Sequence, residues 1–304
     1  MRKIRFSGRP ELVECPLPEP GPGQLLVRTD LVGVHVGLLR MLNSGTAADP
    51  GGEMVGTVLA AGPDVPSDWV GKRVGGVVFD GVYADHVLAV PALVTEIPAE
   101  VGDADGLALV RGGLVAMGAV RAGHRAAGET TLITAAASGS GHLAVQIARA
   151  LGAARVVGAV GSPDKAEFVR DCGADAVMSY AEPWDERFDV VVDGVGGDLV
   201  QRGVDALAPH GRFVAYSAGG GNIAAGSLLA DLKTVTGFSV GLLARTEPDL
   251  VASYRRELWK LLADGHIRPR HVEFPFDRVE AALELIETRR NRGRVVLRTA
   301  GVTP

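Results

Sequence analysis

The sequence predicts an α/β protein in two parts: a small closed β structure, then a doubly wound parallel sheet. Three observations predict it. Residues 1–100 hold short apolar runs cut by Gly and Pro. Residues 130–152 read strand, glycine turn, helix. Beyond them, strand-like and helix-like runs alternate, the pattern of a parallel sheet with crossover helices.

Taken in order, residues 16–23 form a rigid Pro/Gly loop, and strands are expected at 25–29, 55–60, 73–79 and 83–90. Helical spacing runs from 103 to 122. In TTLITAAASGSG, 130–141, an apolar run meets small residues and then Gly139, Ser140 and Gly141. From His142, apolar residues recur at helical spacing until Gly152 closes the helix. Such a turn gathers free backbone N–H groups and the positive end of a helix dipole, and small side chains leave room for a pyrophosphate. Strands follow at Arg155–Val160, Ala176–Ser179, Phe188–Asp193, 211–216 and 235–242, and helices at 163–172 and 198–207. Amphipathic helices at 249–264 and 279–289 precede a closing strand, Arg294–Arg298, expected to pair back in the first part.

Composition removes several function classes. The net charge of -5 leaves no electrostatic footprint for nucleic acid or an anionic membrane. Two cysteines, Cys15 and Cys172, are too few for a disulfide framework or a zinc ribbon, and fit a cytoplasmic location. No apolar segment follows the basic residues of MRKIRFSGRP, so no signal peptide is expected. Apolar runs are broken too early for a membrane span.

The motifs GVH at 33–35, PGGEMVGTVLAAGPDV at 50–65, GKRV at 71–74 and GVYADHVLAVPA at 81–92 come in a specific order. LITAAASGSGHLAVQIARALGA at 132–153, FDVVVDGVGGD at 188–198, GRFVAYSAGG at 211–220 and GRVVL at 293–297 continue it. In that order and spacing the chain resembles the medium-chain dehydrogenase/reductase superfamily, in its zinc-free quinone oxidoreductase and enoyl reductase branch. The resemblance implies a chaperonin-10-like β-barrel domain at 1–112 and 248–304 and a Rossmann domain at 113–247, with the nicotinamide in the cleft between them. It also implies a homodimer formed at the Rossmann sheet edge near 235–242.

By that resemblance, zinc-dependent relatives carry a Cys where His35 stands, a His where Gly52 stands, and a Cys or Asp near Arg111. A glycine offers no ligand and an arginine repels a cation, so no metal is expected. Cofactor choice follows from the tip of Arg155–Val160. No acid stands there to hold a ribose hydroxyl; Ser162 and Lys165 suit a 2′-phosphate instead, and Tyr180 matches a family tyrosine near it. The expected cofactor is NADPH. Its contacts are placed at Ala136, Ser138, Gly139, Ser140, Gly141, His142, Ser162, Lys165, Tyr180, Asp193, Val195, Ser217, Gly219, Phe238 and Arg294.

Relatives in this branch have Asn where His35 stands and Asp where Leu38 stands, and many carry a proton-donating Tyr in the next loop. The loop at 43–49 has none. His35 is therefore the expected proton donor or orienting group, because imidazole titrates near neutrality. Arg111 is the expected partner for an oxyanion or a carboxylate. The expected function is NADPH-dependent reduction of a quinone or an activated C=C on a small or carrier-tethered carbonyl compound. Carbonyl reduction, a non-redox step on the same scaffold, or NADPH binding without catalysis remain alternatives.

Overall fold

The computed structural model describes residues 1–7, 9–45, 49–124, 126–217 and 219–299. Residues 46–48 of the tyrosine-free loop, and Ala218, lie outside them. The chain divides into two compact units: Met1–Arg111 with the chain from Arg270 onward, and Gly112–Pro269.

The first unit is built on a seven-stranded sheet. Its path runs His271–Pro275, Arg294–Arg298, Leu25–Val34, Pro50–Ala61, Arg73–Asp80, Val94–Glu96, and His86–Ala89 also pairs with Leu25–Val34. Every pairing is antiparallel except the first. A hairpin of Arg2–Arg5 and Glu11–Glu14 stands apart from it. Leu25, Val27, Val32, Met54, Val58, Val74, Val87 and Leu297 come from five strands into one core, which also takes Phe276 and Leu283. Leu25–Val34 is buried along nearly its whole length, so its β-branched and Leu residues face protein on both sides. The closing strand pairs with it as expected, Val295 opposite Val34 and Leu297 opposite Val32.

The second unit holds a six-stranded sheet in the order Ala176–Ser179, Arg155–Val160, Thr130–Ile133, Phe188–Asp193, Leu207–Ala215, Thr234–Gly237, parallel throughout. The strand order reverses between Thr130–Ile133 and Phe188–Asp193. In such sheets the crevice for a ligand lies beyond the carboxyl ends of the strands at that reversal.

Several elements differ from the sequence reading. The run at 235–242 is a short strand, Thr234–Gly237, followed by a helix, Val240–Thr246, whose N-terminus Ser239 caps by accepting from the Leu242 N–H. The helical stretch 103–122 is three pieces: Asp103–Leu107, a π-helical turn Ala108–Gly113, and Leu114–Ala122. The strand read at 83–90 shortens to His86–Ala89, and the helix read at 163–172 is a 3₁₀ turn followed by Ala166–Asp171. The strand read at 211–216 begins earlier, as Leu207–Ala215. The helix Pro248–Ala263 belongs to the second unit, where Arg121 pairs with Glu257 at 2.6 Å, and the return to the first unit comes at Arg270 rather than 248.

Candidate functional site

In the first unit, three adjacent strands bring together charges that are far apart in sequence. Glu53 lies in Pro50–Ala61 and is fully buried. Arg294 opens the closing strand, is itself buried, and pairs with Glu53 Oε1. Between them Leu25–Val34 supplies Gly33, whose lack of a side chain makes the pair possible: a Cβ there would collide with both the carboxylate and the guanidinium.

His35 follows at the end of that strand. Its backbone is extended, and its Nδ1 accepts from the Leu38 N–H at 3.2 Å, capping helix Val36–Ser44. The neutral ring therefore carries its proton on Nε2, which lies 3.6 Å from Glu53 Oε2. Arg111 reaches the same oxygen, Nη1 to Oε2 at 3.5 Å, from the π-helical turn. Tyr83 is buried nearby and donates to the Gly33 carbonyl at 2.9 Å. Gly52 faces the group: a Cβ would stand 3.5 Å from the Tyr83 oxygen and 3.8 Å from His35 Nε2.

Burial, with Arg111 and Arg294 close by, holds the His35 imidazolium well below the usual histidine range. The ring is neutral at pH 7 and has no extra proton to give. It caps a helix through Nδ1, and its Nε2–H faces Glu53 without a hydrogen bond among the described residues. Burial lowers Arg111 and brings Arg294 down to about 10, so both stay cationic near neutrality. Burial raises the Tyr83 phenol, which stays protonated.

The second unit carries the glycine turn. Ser138 Oγ accepts from the Gly141 N–H at 3.0 Å and starts helix Gly141–Ala150. Among the described residues the N–H groups of Gly139 and Ser140 find no acceptor, and both residues reach solvent. A Cβ on Gly141 would strike the Ala135 carbonyl, so the turn closes only around glycine. Two unpaired donors at the N-terminus of a helix whose N-cap residue, Ser140, makes no side-chain cap can receive an anion.

Around this turn, Tyr180 accepts the Ala135 N–H on its hydroxyl at 2.7 Å and packs against Gly161 at the tip of Arg155–Val160. Ser162 and Lys165 follow that tip, and the Ser162 hydroxyl donates to Asp164. Asp193 is buried and accepts from the Thr134 hydroxyl at 2.6 Å, the Gly196 N–H at 2.8 Å and the Val195 N–H at 3.3 Å. The Ser217 hydroxyl donates to the Val195 carbonyl at 3.0 Å and accepts from the Gly219 N–H at 3.1 Å.

The sequence of the second unit matches the family model described as "Zinc-binding dehydrogenase" over residues 139–256. The crystal structure of the quinone oxidoreductase from Thermus thermophilus, described with its NADPH complex, is 29% identical with a TM-score of 0.83, over 98% of this chain and 100% of that one. In sequence and fold the chain is similar to the oxidoreductases of the medium-chain dehydrogenase/reductase superfamily. Prostaglandin reductase-3 of Bos taurus is 32% identical over 66% of this chain and 57% of its own length. A mycocerosic acid synthase-like polyketide synthase of Mycolicibacterium smegmatis is 28% identical over 94% of this chain, which spans only 14% of that protein.

The zinc in that family description has no fitting site here. At the superfamily's ligand positions stand His35, Gly52 and Arg111: an imidazole already committed to a helix cap, no side chain, and a cation. No group of three His, Cys, Asp or Glu side chains among the described residues is arranged to hold a metal. Among the described residues no helix is long and apolar enough to cross a membrane.

The structure thus joins His35, Arg111 and Arg294 in one cluster and Ser138–Gly141 with Tyr180 in another. Arg294, read from sequence as a cofactor contact, is engaged by Glu53. His142 is buried, its Nδ1 2.8 Å from the Ser138 carbonyl, and Ala136 lies under Gly158, so both support the turn from within. The Phe238 ring sits on Gly118. Sequence reasoning gave Glu53 no definite role. A lone carboxylate inside the apolar strand GGEMVGTVLAA was the available signal, since a buried charge requires a partner.

Proposed function

We propose that this protein is an NADPH-dependent oxidoreductase that reduces a quinone or a C=C bond conjugated to a carbonyl group, without zinc. The observation that carries the reading is the pair of unpaired N–H groups of Gly139 and Ser140 at the head of Gly141–Ala150, beside the strand-order reversal. These groups take the pyrophosphate. Ser162, Lys165 and Tyr180 take the 2′-phosphate, which requires the Ser162 hydroxyl to turn from Asp164. Asp193, Val195, Ser217 and Gly219 hold the loop beside the nicotinamide half through their mutual hydrogen bonds, and Phe238 bounds it. The reduced nicotinamide supplies the hydride. His35 orients, and the proton comes from water. The likeness to a quinone oxidoreductase and a prostaglandin reductase supports a small conjugated carbonyl substrate. The likeness to a polyketide synthase supports a carrier-tethered one equally. We further propose a homodimer through the edge strand Thr234–Gly237.

Cofactor titration tests the reading. NADPH is expected to bind more tightly than NADH. Lys165→Ala should cost about 1–3 kcal/mol of NADPH binding and leave NADH unchanged, as for one charge-assisted hydrogen bond. Equal losses for both cofactors would show that the 2′-phosphate is held elsewhere. Steady NADPH oxidation with a panel of enones and quinones separates catalysis from binding alone.

A further inference from the structure

The charges of the first unit's cluster do not balance. Arg111 and Arg294 bring two positive charges to Glu53, and no other carboxylate among the described residues lies within ion-pair distance of either arginine. Glu53 gives Oε1 to Arg294. Its Oε2 is left between Arg111 at 3.5 Å and His35 Nε2 at 3.6 Å, both at the outer edge of bonding. Among the described residues, His35 Nε2 is buried and makes no hydrogen bond. A buried donor without an acceptor is destabilising, and an arriving acceptor would recover that cost. Neutralising the ring does not remove the excess, because the arginines remain cationic.

Access and local geometry single out one member. The Arg111 side chain is 36% exposed, against 7% for Arg294 and 0% for Glu53. Arg111 also stands in the π-helical turn, an irregularity that recurs at functional sites because it re-aims a side chain. Gly52 adds no side chain of its own beside the His35 ring, where Val82 Cγ1 stands 3.1 Å from the place a Cβ would take.

We propose that Arg111 and the His35 Nε2–H form an oxyanion site that receives the carbonyl oxygen of the substrate as that oxygen becomes negatively charged. The proposal rests on the reductase reading above and narrows it to substrates that pass through an enolate or a quinol anion. Hydride adds to the β-carbon, the C=C pair shifts toward the carbonyl carbon, and the carbonyl electrons move onto oxygen. Arg111 neutralises that oxygen. In an enone the α-carbon then takes a proton from water, hydroxide leaves to solvent and the C=O bond re-forms; in a quinone the added carbon loses its ring proton and the oxygens end protonated as the quinol. Either substrate is reduced by two electrons and the nicotinamide is oxidised by two. A guanidinium already held beside Glu53 needs little reorganisation when the charge develops.

The test needs neither cofactor nor turnover. 4-Nitrophenol presents a phenolic oxygen on a planar conjugated ring, and its ionisation is visible by absorbance. Titrated into the cofactor-free protein, it should bind about tenfold or more tightly as the phenolate than as the phenol, as expected for a charge facing an opposite charge. Arg111→Gln should abolish the preference, Arg111→Lys should keep part of it, and Arg5→Gln, a surface control in the same unit, should leave it intact. Circular dichroism of each variant checks folding, and Arg111→Lys decides if the glutamine variant fails that check. Absence of binding, no preference for the phenolate, or an undiminished preference in the variants that fold would overturn the proposal. A failed NADPH titration with an intact phenolate preference would overturn the cofactor reading alone.

Discussion

One imidazole nitrogen of His35 is committed to the N-terminus of Val36–Ser44, and the other faces a carboxylate. Burial opposes a charge on the ring, and a proton would add a third positive charge beside Arg111 and Arg294, which is why the folded ring titrates well below its ordinary value. The consequence for stability has a definite sign. Between its depressed folded pKa and the unfolded value near 6.5, the unfolded chain binds the proton and the folded chain does not. His35 therefore costs stability progressively as pH falls below that value and costs none above it. His35→Asn retains a capping side chain without a titrating one, so its denaturation midpoint should fall less than the parent's between pH 7 and pH 5. Parallel acid profiles would refute this. Glu53 shows the limit of reading residues singly. Its place in an apolar strand was legible, but its burial and its partners, from positions 35, 111 and 294, are connected by no spacing rule.

Among the elements, Thr130–Ile133, its turn and Gly141–Ala150 were readable almost residue by residue, because strand, glycine turn and helix leave local patterns of different period. The same locality gives a prediction. Gly141→Val should abolish NADPH binding at concentrations that saturate the parent, because the new Cβ meets the Ala135 carbonyl and the Ser138 hydroxyl and pushes the turn open. Fluorescence titration checks it; parent-like affinity would show that the pyrophosphate is held elsewhere. Elements without a distinctive period were misread. VGLLART carries enough branched residues to continue a strand, yet Ser239 stops the strand and caps a helix. The π turn has no sequence signature, since its extra residue depends on how Asp103–Leu107 and Leu114–Ala122 are each held.

At the scale of the whole molecule, the parallel sheet ends on Thr234–Gly237, which pairs on one side only among the described residues. Leu229, Leu232 and Leu242 flank it in sequence and are 77%, 65% and 53% exposed. An open strand edge bordered by exposed leucines is an association surface unless something covers it. Sedimentation velocity should find a dimer for the parent and a monomer for Leu232→Glu/Leu242→Glu. A monomeric parent, or a dimeric double variant, would remove this edge as the interface.

The sequence by itself determined the two-part α/β architecture, the alternation of strands and helices in the parallel sheet, the strand–glycine turn–helix at 130–150 and the return of Arg294–Arg298 to the first sheet. Those features rest on periodicity and turn chemistry, which are local. Only the tertiary structure decided that Glu53, His35, Arg111 and Arg294 form one group with an excess positive charge. That group is set by the register of three strands and a π turn. Register is fixed by the burial of whole faces, so which charges meet is a property of the packed sheet rather than of any segment within it.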